Sequence, residues 1–404
     1  MSTHTPIIPG APSTPFALFP LVVLLALAGG ILTTTPCGAQ DMTTRQFDAK
    51  SGGTLTLDFP SGGSSRIEGW DEDRIEVTIE AGQPALEDWN LDFDDTGDGL
   101  DLTAKVSDRR YQSTSLHVAI RVPRRFDVEF ETAGGSLSIA GVEGTFEART
   151  AGGELHLERV TGHVDFRSGG GDIEVLDSKV DGRVTTGGGR ILVKDVIGDL
   201  EATSGGGNVQ YVNVRDHDGK LGSPLDPEGE GTSAETVMIQ TAGGPVSVDD
   251  APEGALLLTG GGDIRVRGAE RFVQATTGGG DISVRLGEGW VSAMTGAGDI
   301  DVSIARAGGT DDIVLLTGYG DVTLVVPADY AMDLDVDIQY TRESSRRFAI
   351  ESDFGLETEE SPEWERPKGS NNWVKHITCT DRVNGGGQRV RIECTNGDVR
   401  IRKQ

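Results

Sequence analysis

Four aspartates recur at one place in a repeated phrase: Asp263, Asp281, Asp299 and, across a short extension, Asp321. The phrase is Thr-Gly-Gly-Gly-Asp-Ile-x-Val, written at 259–266 and again at 277–284. If successive copies stack, these carboxylates stand about 5 Å apart on one outer edge and repel one another. Binding a divalent cation, taking up protons, or pairing with Arg265, Arg267 and Arg285 would each relieve the repulsion. Ca²⁺ is the cation that suits such oxygens, with glycine carbonyls as further ligands. The Ca²⁺-binding nonapeptide roll needs a related motif twice as often as it occurs here. A screened acidic ridge without a cofactor is therefore the leading expectation, and a Ca²⁺ site at Asp263, Asp281, Asp299 and Asp321 is the alternative.

Other chemistry is thin. His117, His156, His163, His217 and His376 are scattered, and no metal spacing of His and Cys occurs. No Gly-x-Ser-x-Gly elbow is present, and no Lys follows the glycines as it does in a phosphate loop. A polysaccharide lyase on a β-helix would use acids and an arginine on an outer face. Asp281, Asp299 and Arg265 could imitate that set, but aromatic platforms for sugar are scarce. If Cys37 leaves with a signal peptide, Cys379 and Cys394 remain, and an exported chain with one such pair invites a disulfide. Residues 94–99 (Asp-Asp-Thr-Gly-Asp-Gly) space acids as a calcium loop does. They lack its closing Glu and read as a hairpin loop.

A repeat positions these residues. The last glycine of the phrase falls at 135, 153, 171, 189 and 207, then at 244, 262, 280 and 298, with 18 residues between copies inside each group. Just after it the chain alternates apolar residues, as in Leu137 and Ile139, Ile173 and Val175, Ile264 and Val266. A second apolar pair precedes each glycine cluster, as in Val164 and Phe166, Val237 and Ile239, Val273 and Ala275. Each repeat thus offers two short strands with one face in. Neither strand can bury that face inside its own repeat, so the repeats must stack. The expected fold is all-β: a single-stranded parallel β-helix, a β-solenoid with 18-residue rungs. A Thr or Ser three residues before the last glycine recurs from Thr132 through Ser168, Thr186 and Ser204 to Thr317. It shares the parity of the buried residues and should tie the corners as a hydroxyl ladder.

The outward positions of the strand before the glycines change along the array. Early rungs carry Glu147 and Arg149, then Asp165 and Arg167; later ones carry Leu256 and Leu258, Met294, Val314 and Leu316. Apolar side chains stacked over successive rungs form a patch that a cover or a partner occupies. The expected cover is the C-terminal segment, using some of Tyr330, Met332, Phe348, Ile350, Phe354 and Trp364; a protein interface is the alternative.

Residues 1–39 read as a signal peptide, with an apolar run at 16–32 and small residues at Cys37 and Ala39. Residues 40–130 supply N-terminal β strands leading into the solenoid of 131–325, which a polar excursion interrupts at 215–235. Residues 326–404 form an irregular C-terminal cap and the final rungs, as a solenoid needs at an open end. The net charge of −29 repels nucleic acid and anionic membrane, and suits basic partners or divalent cations. No nucleic acid is expected as partner, and no stable membrane insertion once the signal is cleaved.

The rung phrase, Val326-Pro327-Ala328 after the last regular rung, and the closing Asn384-Gly385-Gly386-Gly387 and Thr395-Asn396-Gly397-Asp398-Val399-Arg400-Ile401 together resemble a bacterial family of exported β-strand-repeat proteins, the "putative adhesins". The resemblance covers residues 50–402 and fails at 215–235 and at the two C-terminal cysteines. It implies a right-handed β-helix in the periplasm, at the cell surface or outside the cell, and it brings no catalytic residues. The function expected is an exported, non-catalytic binding or structural module, with an envelope protein or a surface polysaccharide as partner. A carbohydrate-active lyase or hydrolase and a self-assembling envelope scaffold are the alternatives.

Overall fold

The computed structural model describes residues 41–82, 85–107, 115–215, 237–252, 254–306, 312–344, 346–367 and 372–404. Residues 1–39, with the expected signal peptide, and 216–236, with nearly all of the polar excursion, lie outside them. Among the described residues the elements are strands apart from one 3-10 turn at Leu86–Asp88, and the strands join in one long sheet.

The chain begins with β1 (Asp41–Asp48), β2 (Gly53–Phe59), β3 (Ser64–Trp70) and β4 (Arg74–Ala81). β5 (Trp89–Asp95) and β6 (Leu100–Val106) then form an antiparallel hairpin around the acidic turn, as expected. β7 (Leu116–Pro123), β8 (Phe126–Thr132) and β9 (Leu137–Ala140) follow. Chain order is not stacking order here. β2 lies between β6 and β8, parallel to both, and β3 lies between β7 and β9, parallel to both. β5 runs antiparallel along β6, β4 along β7, and β1 along β4. These antiparallel strands cover the parallel edges that would otherwise template another chain.

The repeat builds the middle. β10 (Glu143–Thr150), β11 (Leu155–Glu158), β12 (Thr161–Ser168), β13 (Ile173–Leu176), β14 (Lys179–Thr186), β15 (Ile191–Ile197), β16 (Leu200–Ser204) and β17 (Val209–Arg215) alternate the two strand types. Each pairs in parallel with the strand two places on, at an offset of 18 residues: Phe146 lies beside Val164, and Leu155 beside Ile173. Beyond the excursion the pattern resumes in β18 (Val237–Thr241), β19 (Val246–Val248), β20 (Ala255–Thr259), β21 (Ile264–Ala269) and β22 (Phe272–Thr277). It continues in β23 (Ile282–Leu286), β24 (Trp290–Thr295), β25 (Ile300–Ile304), β26 (Ile313–Thr317) and β27 (Val322–Val326). Ala202 still pairs with Ile239 and Val209 with Val246, so the register survives the excursion. The inward residues form the core, with Phe146, Phe166, Ile173 and Ile191 fully buried. Each such side chain contributes about 1.5–3 kcal/mol.

Two corners turn the chain. At the phrase itself, a Cβ on Gly171 would lie less than 3.0 Å from the carbonyl oxygen of Gly153 one rung back, and Gly189, Gly207 and Gly262 meet the same obstacle. The middle glycine is different: Gly170 and Gly188 have nothing within 4 Å of an added Cβ. Ala297 and Tyr319 occupy that middle place in later rungs. From β9 to β17 the opposite corner uses a left-handed residue once per rung, at Gly141, Arg159, Asp177, Asp195 and Asn213. The Asn213 amide donates to Asp195 Oδ1 at 2.6 Å, which helps hold this tight turn.

At the far end come β28 (Met332–Thr341), β29 (Ile350–Ser352), β30 (Glu359–Glu360), β31 (Val374–Val383), β32 (Gln388–Thr395) and β33 (Val399–Lys403). β32 slots between β26 and β28, parallel to both, and β33 between β27 and β29. The closing phrase at 395–401 therefore restores the rung pattern one layer inside the end. β31 closes the stack antiparallel to β28, and β30 adds to β31. Tyr330, Met332 and Phe348 are buried here. They extend the core at the end of the stack, because β28 continues the sheet in its own plane. The expected cover over the side patch is thus corrected: Leu258 remains 45% exposed and Met294 38%.

Candidate functional site

The aspartate column is assembled, but as a ladder. Asp263 Oδ1 accepts the N–H of Asp281 (3.0 Å), Asp281 Oδ1 that of Asp299 (2.8 Å), and Asp299 Oδ1 that of Asp321 (2.8 Å). Asp321 Oδ1 accepts the N–H of Asp398 (2.9 Å), and Asp172 does the same for Arg190 (2.7 Å). Each carboxylate satisfies a backbone donor of the next rung, a charge-assisted bond. In the ladder the carboxylates point along the stack, whereas the alternative Ca²⁺ site would need them to converge. Among the described residues no three His, Cys, Asp or Glu side chains come together as a metal site requires. Burial raises the Asp321 pKa, but the Asp398 N–H and the Arg400 guanidinium (3.0 Å) outweigh it and hold the carboxyl below its ordinary value.

Asp281→Ala should therefore cost about 1 kcal/mol, the worth of one exposed charge-assisted hydrogen bond. Thermal unfolding with and without Ca²⁺ checks this. A midpoint that rises with Ca²⁺ in the native chain and not in the variant would restore the cation site.

The hydroxyl column behaves as its parity predicts. Ser168 Oγ donates to the Gly153 carbonyl (3.0 Å) and accepts the Gly171 N–H (2.8 Å). Thr186 links Gly171 (2.8 Å) to Gly189 (3.1 Å), and Thr259 links Gly244 (2.9 Å) to Gly262 (3.1 Å). All three are buried. Each hydroxyl ties one corner to the corner before it.

The disulfide expectation is corrected. Cys379 on β31 lies beside Val336 and Cys394 on β32 beside Ile338, so β28 separates them. Two strand spacings, about 9.6 Å, exceed the reach of roughly 7 Å between Cα atoms that a disulfide allows. Both thiols are free and buried, and burial pushes Cys379 up to about 11 and Cys394 up to about 12. They stay protonated and unreactive.

The outward apolar residues do come together. β20, β22, β24 and β26 lie side by side. Their outer face is a grid of Leu256 and Leu258, then Phe272, Gln274 and Thr276, then Trp290, Ser292 and Met294, then Val314 and Leu316. Phe272 and Trp290 join the five expected residues and stack on each other, with ring centroids 4.9 Å apart and 10° between planes. They precede the last glycine by eight residues and share the outward parity, which is the signal that finds them. Gly254 makes room, since a Cβ there would collide with the Phe272 ring. The grid holds no charged side chain, and Asp312 at its corner lies 3.7 Å from Arg389. On one side β18 continues the uncharged face with Met238 and Gln240, beyond which Arg183 lies against Glu201; on the other Arg391 lies against Glu393. At that second border a groove of about 240 Å³ opens, lined by Met294, Leu316, Glu393, Asp337 and Gln339.

Fold and site together define an all-β protein of stacked, parallel-paired strands with an uncharged outer face. No family model matches the chain, and no curated protein matches it in sequence. Solved structures do match. A "putative cell adhesion protein" from Clostridium sporogenes is 9% identical with a TM-score of 0.18, over 91% of this chain and 100% of that one. A "putative lipid binding protein" from Parabacteroides distasonis is 11% identical with a TM-score of 0.29, over 69% and 96%. A "putative adhesin" from Bacteroides fragilis is 15% identical with a TM-score of 0.21, over 71% and 98%. The adhesin names match the family that the sequence resembles. At such TM-scores the names remain those proteins' own and carry nothing over to this chain.

Proposed function

We propose that the chain coils as a parallel β-helix with 18-residue rungs and serves as an exported, non-catalytic binding module at the cell envelope, in the manner of an adhesin. The uncharged grid on β20, β22, β24 and β26 carries this proposal. It is an apolar face, uncovered by the described residues, with an aromatic pair in a chain of net charge −29. Faces of this composition are bound by partners. The hydroxyl and aspartate ladders support the same role, because they fix the rungs that present the face. Export rests on residues 1–39. Among the described residues no helix is long and apolar enough to cross a membrane.

An envelope protein suits the face better than a polysaccharide. Leu258, Met294 and Leu316 offer apolar contact, and the stacked rings of Phe272 and Trp290 turn their faces to each other instead of to a sugar. End-to-end self-assembly is disfavoured, because three of the four ends of the strand columns are antiparallel strands, β1, β5 and β30, and the fourth is the three-residue β29. Leu258→Ser with Met294→Ser should weaken saturable binding to envelope fractions about tenfold or more, at an unchanged thermal midpoint. Equal binding by the variant would overturn the proposal, as would release of reducing or unsaturated sugar from a polysaccharide panel.

A further inference from the structure

Resting on the binding-module reading, we infer that the groove at the end of the grid takes a lysine or arginine side chain from a protein segment whose apolar neighbours lie on Leu258, Met294 and Leu316. The outer column of the sheet runs in register through Leu258, Thr276, Met294, Leu316, Glu393 and Asp337. Neighbours in it are one strand spacing apart, about 4.8 Å. The column thus passes from an apolar floor to two carboxylates within the reach of one long side chain. That order matches a basic residue, which lays an apolar stem on carbon and sets its charged head among oxygens.

The carboxylates are held in place before any ligand arrives. Glu393 receives both Arg391 bonds on Oε1, from Nε at 2.7 Å and from Nη2, which leaves Oε2 for a further donor. Asp337 is fixed by His376 Nδ1 at 2.7 and 3.0 Å, and the other ring nitrogen of His376 lies 3.1 Å from Glu365. The charged groups around the groove are therefore Glu393, Asp337, Asp335 and Glu365 against Arg391 and His376. Acid predominates locally and across the chain, which steers a basic partner toward the groove and repels a second copy carrying −29.

The test uses the full chain and a short peptide of alternating valine and lysine, with counterparts carrying serine or glutamate in place of lysine. Fluorescence anisotropy should show the lysine peptide binding roughly tenfold tighter than the serine peptide and the glutamate peptide not binding. Glu393→Gln should cut the lysine advantage to about threefold or less, while Glu154→Gln on a distant ridge leaves it intact. The lysine peptide should also displace the envelope fraction. Equal affinity for the lysine and serine peptides, or an advantage that survives Glu393→Gln, overturns the inference. If envelope binding still falls with Leu258→Ser and Met294→Ser in that case, the binding module stands and only the basic ligand is lost. A concentration-dependent dimer, seen by sedimentation and abolished by Met294→Ser, would make a second copy the occupant and overturn the inference as well.

Discussion

Gly171→Ala should destabilise the chain by about 3–5 kcal/mol, while Gly170→Ala beside it should be neutral or stabilise by up to about 1 kcal/mol. The added methyl at 171 would fall less than 3.0 Å from the Gly153 carbonyl oxygen, and backbone cannot rotate away as a side chain does. That oxygen is also the one that Ser168 Oγ holds at 3.0 Å, so relieving the clash breaks the corner tie as well. At 170 an added Cβ has nothing within 4 Å, and the loss of unfolded-state freedom is then the main effect. The chain performs the control itself, with Ala297 and Tyr319 in the same column and Tyr319 56% exposed. The check is thermal and urea unfolding of both variants, with a drop on the order of 10 °C expected for Gly171→Ala alone. Similar midpoints for the two would mean that the corners are not close-packed. Because each rung touches only its neighbours, the loss should also appear as local opening, with faster amide exchange around 150–190 than around 260–300.

Thr186→Val should cost about 2–4 kcal/mol, and Thr186→Ser well under 1 kcal/mol. Valine keeps the shape and removes the oxygen. The Gly171 carbonyl and the Gly189 N–H, now bonded at 2.8 and 3.1 Å, would both be left unpaired at a site only 1% exposed. Each such orphan costs about 1–3 kcal/mol. Serine keeps the hydroxyl, as Ser168 and Ser204 do in the neighbouring rungs. A valine variant as stable as the native chain would show that water or a neighbouring group replaces the hydroxyl. Together the two experiments separate the two reasons for the same corner: glycine for close approach, hydroxyl for polar satisfaction.

Much of this corner was legible without coordinates. The parity of Thr186 and its neighbours marks them as buried, and a buried hydroxyl beside a turn has backbone to bond. The aspartates share the phrase, but the sequence leaves their role open between a screened ridge and a Ca²⁺ site. Their outward parity is correct, yet parity does not say whether a short carboxylate reaches solvent or the next rung's N–H. The ladder depends on how far one corner lies from the next, which places each Oδ1 within 2.8–3.0 Å of the following N–H. Phe272 and Trp290 were hidden for a different reason. They stand outside the repeated phrase, at the first residues of β22 and β24, where the alternation of those strands carries them onto the same face as Leu258 and Met294.

What the sequence determined by itself is the period, the inward columns and the hydroxyl ladder. All three follow from residues whose neighbours in space are fixed by an 18-residue offset, so each rung predicts the next. What only the tertiary structure decided lies where that offset stops. β2 pairs with β8 across 73 residues, from Gly53 to Phe126, and β26 pairs with β32 across 77, from Ile313 to Val390. At both ends the chain leaves, builds an outer layer and returns or continues inside it. No local pattern encodes that order, because a strand with one apolar face packs equally well on either side of a like neighbour. The choice separates Cys379 from Cys394, leaves the grid uncovered by the described residues, and sets Glu393 and Asp337 at the end of an apolar column.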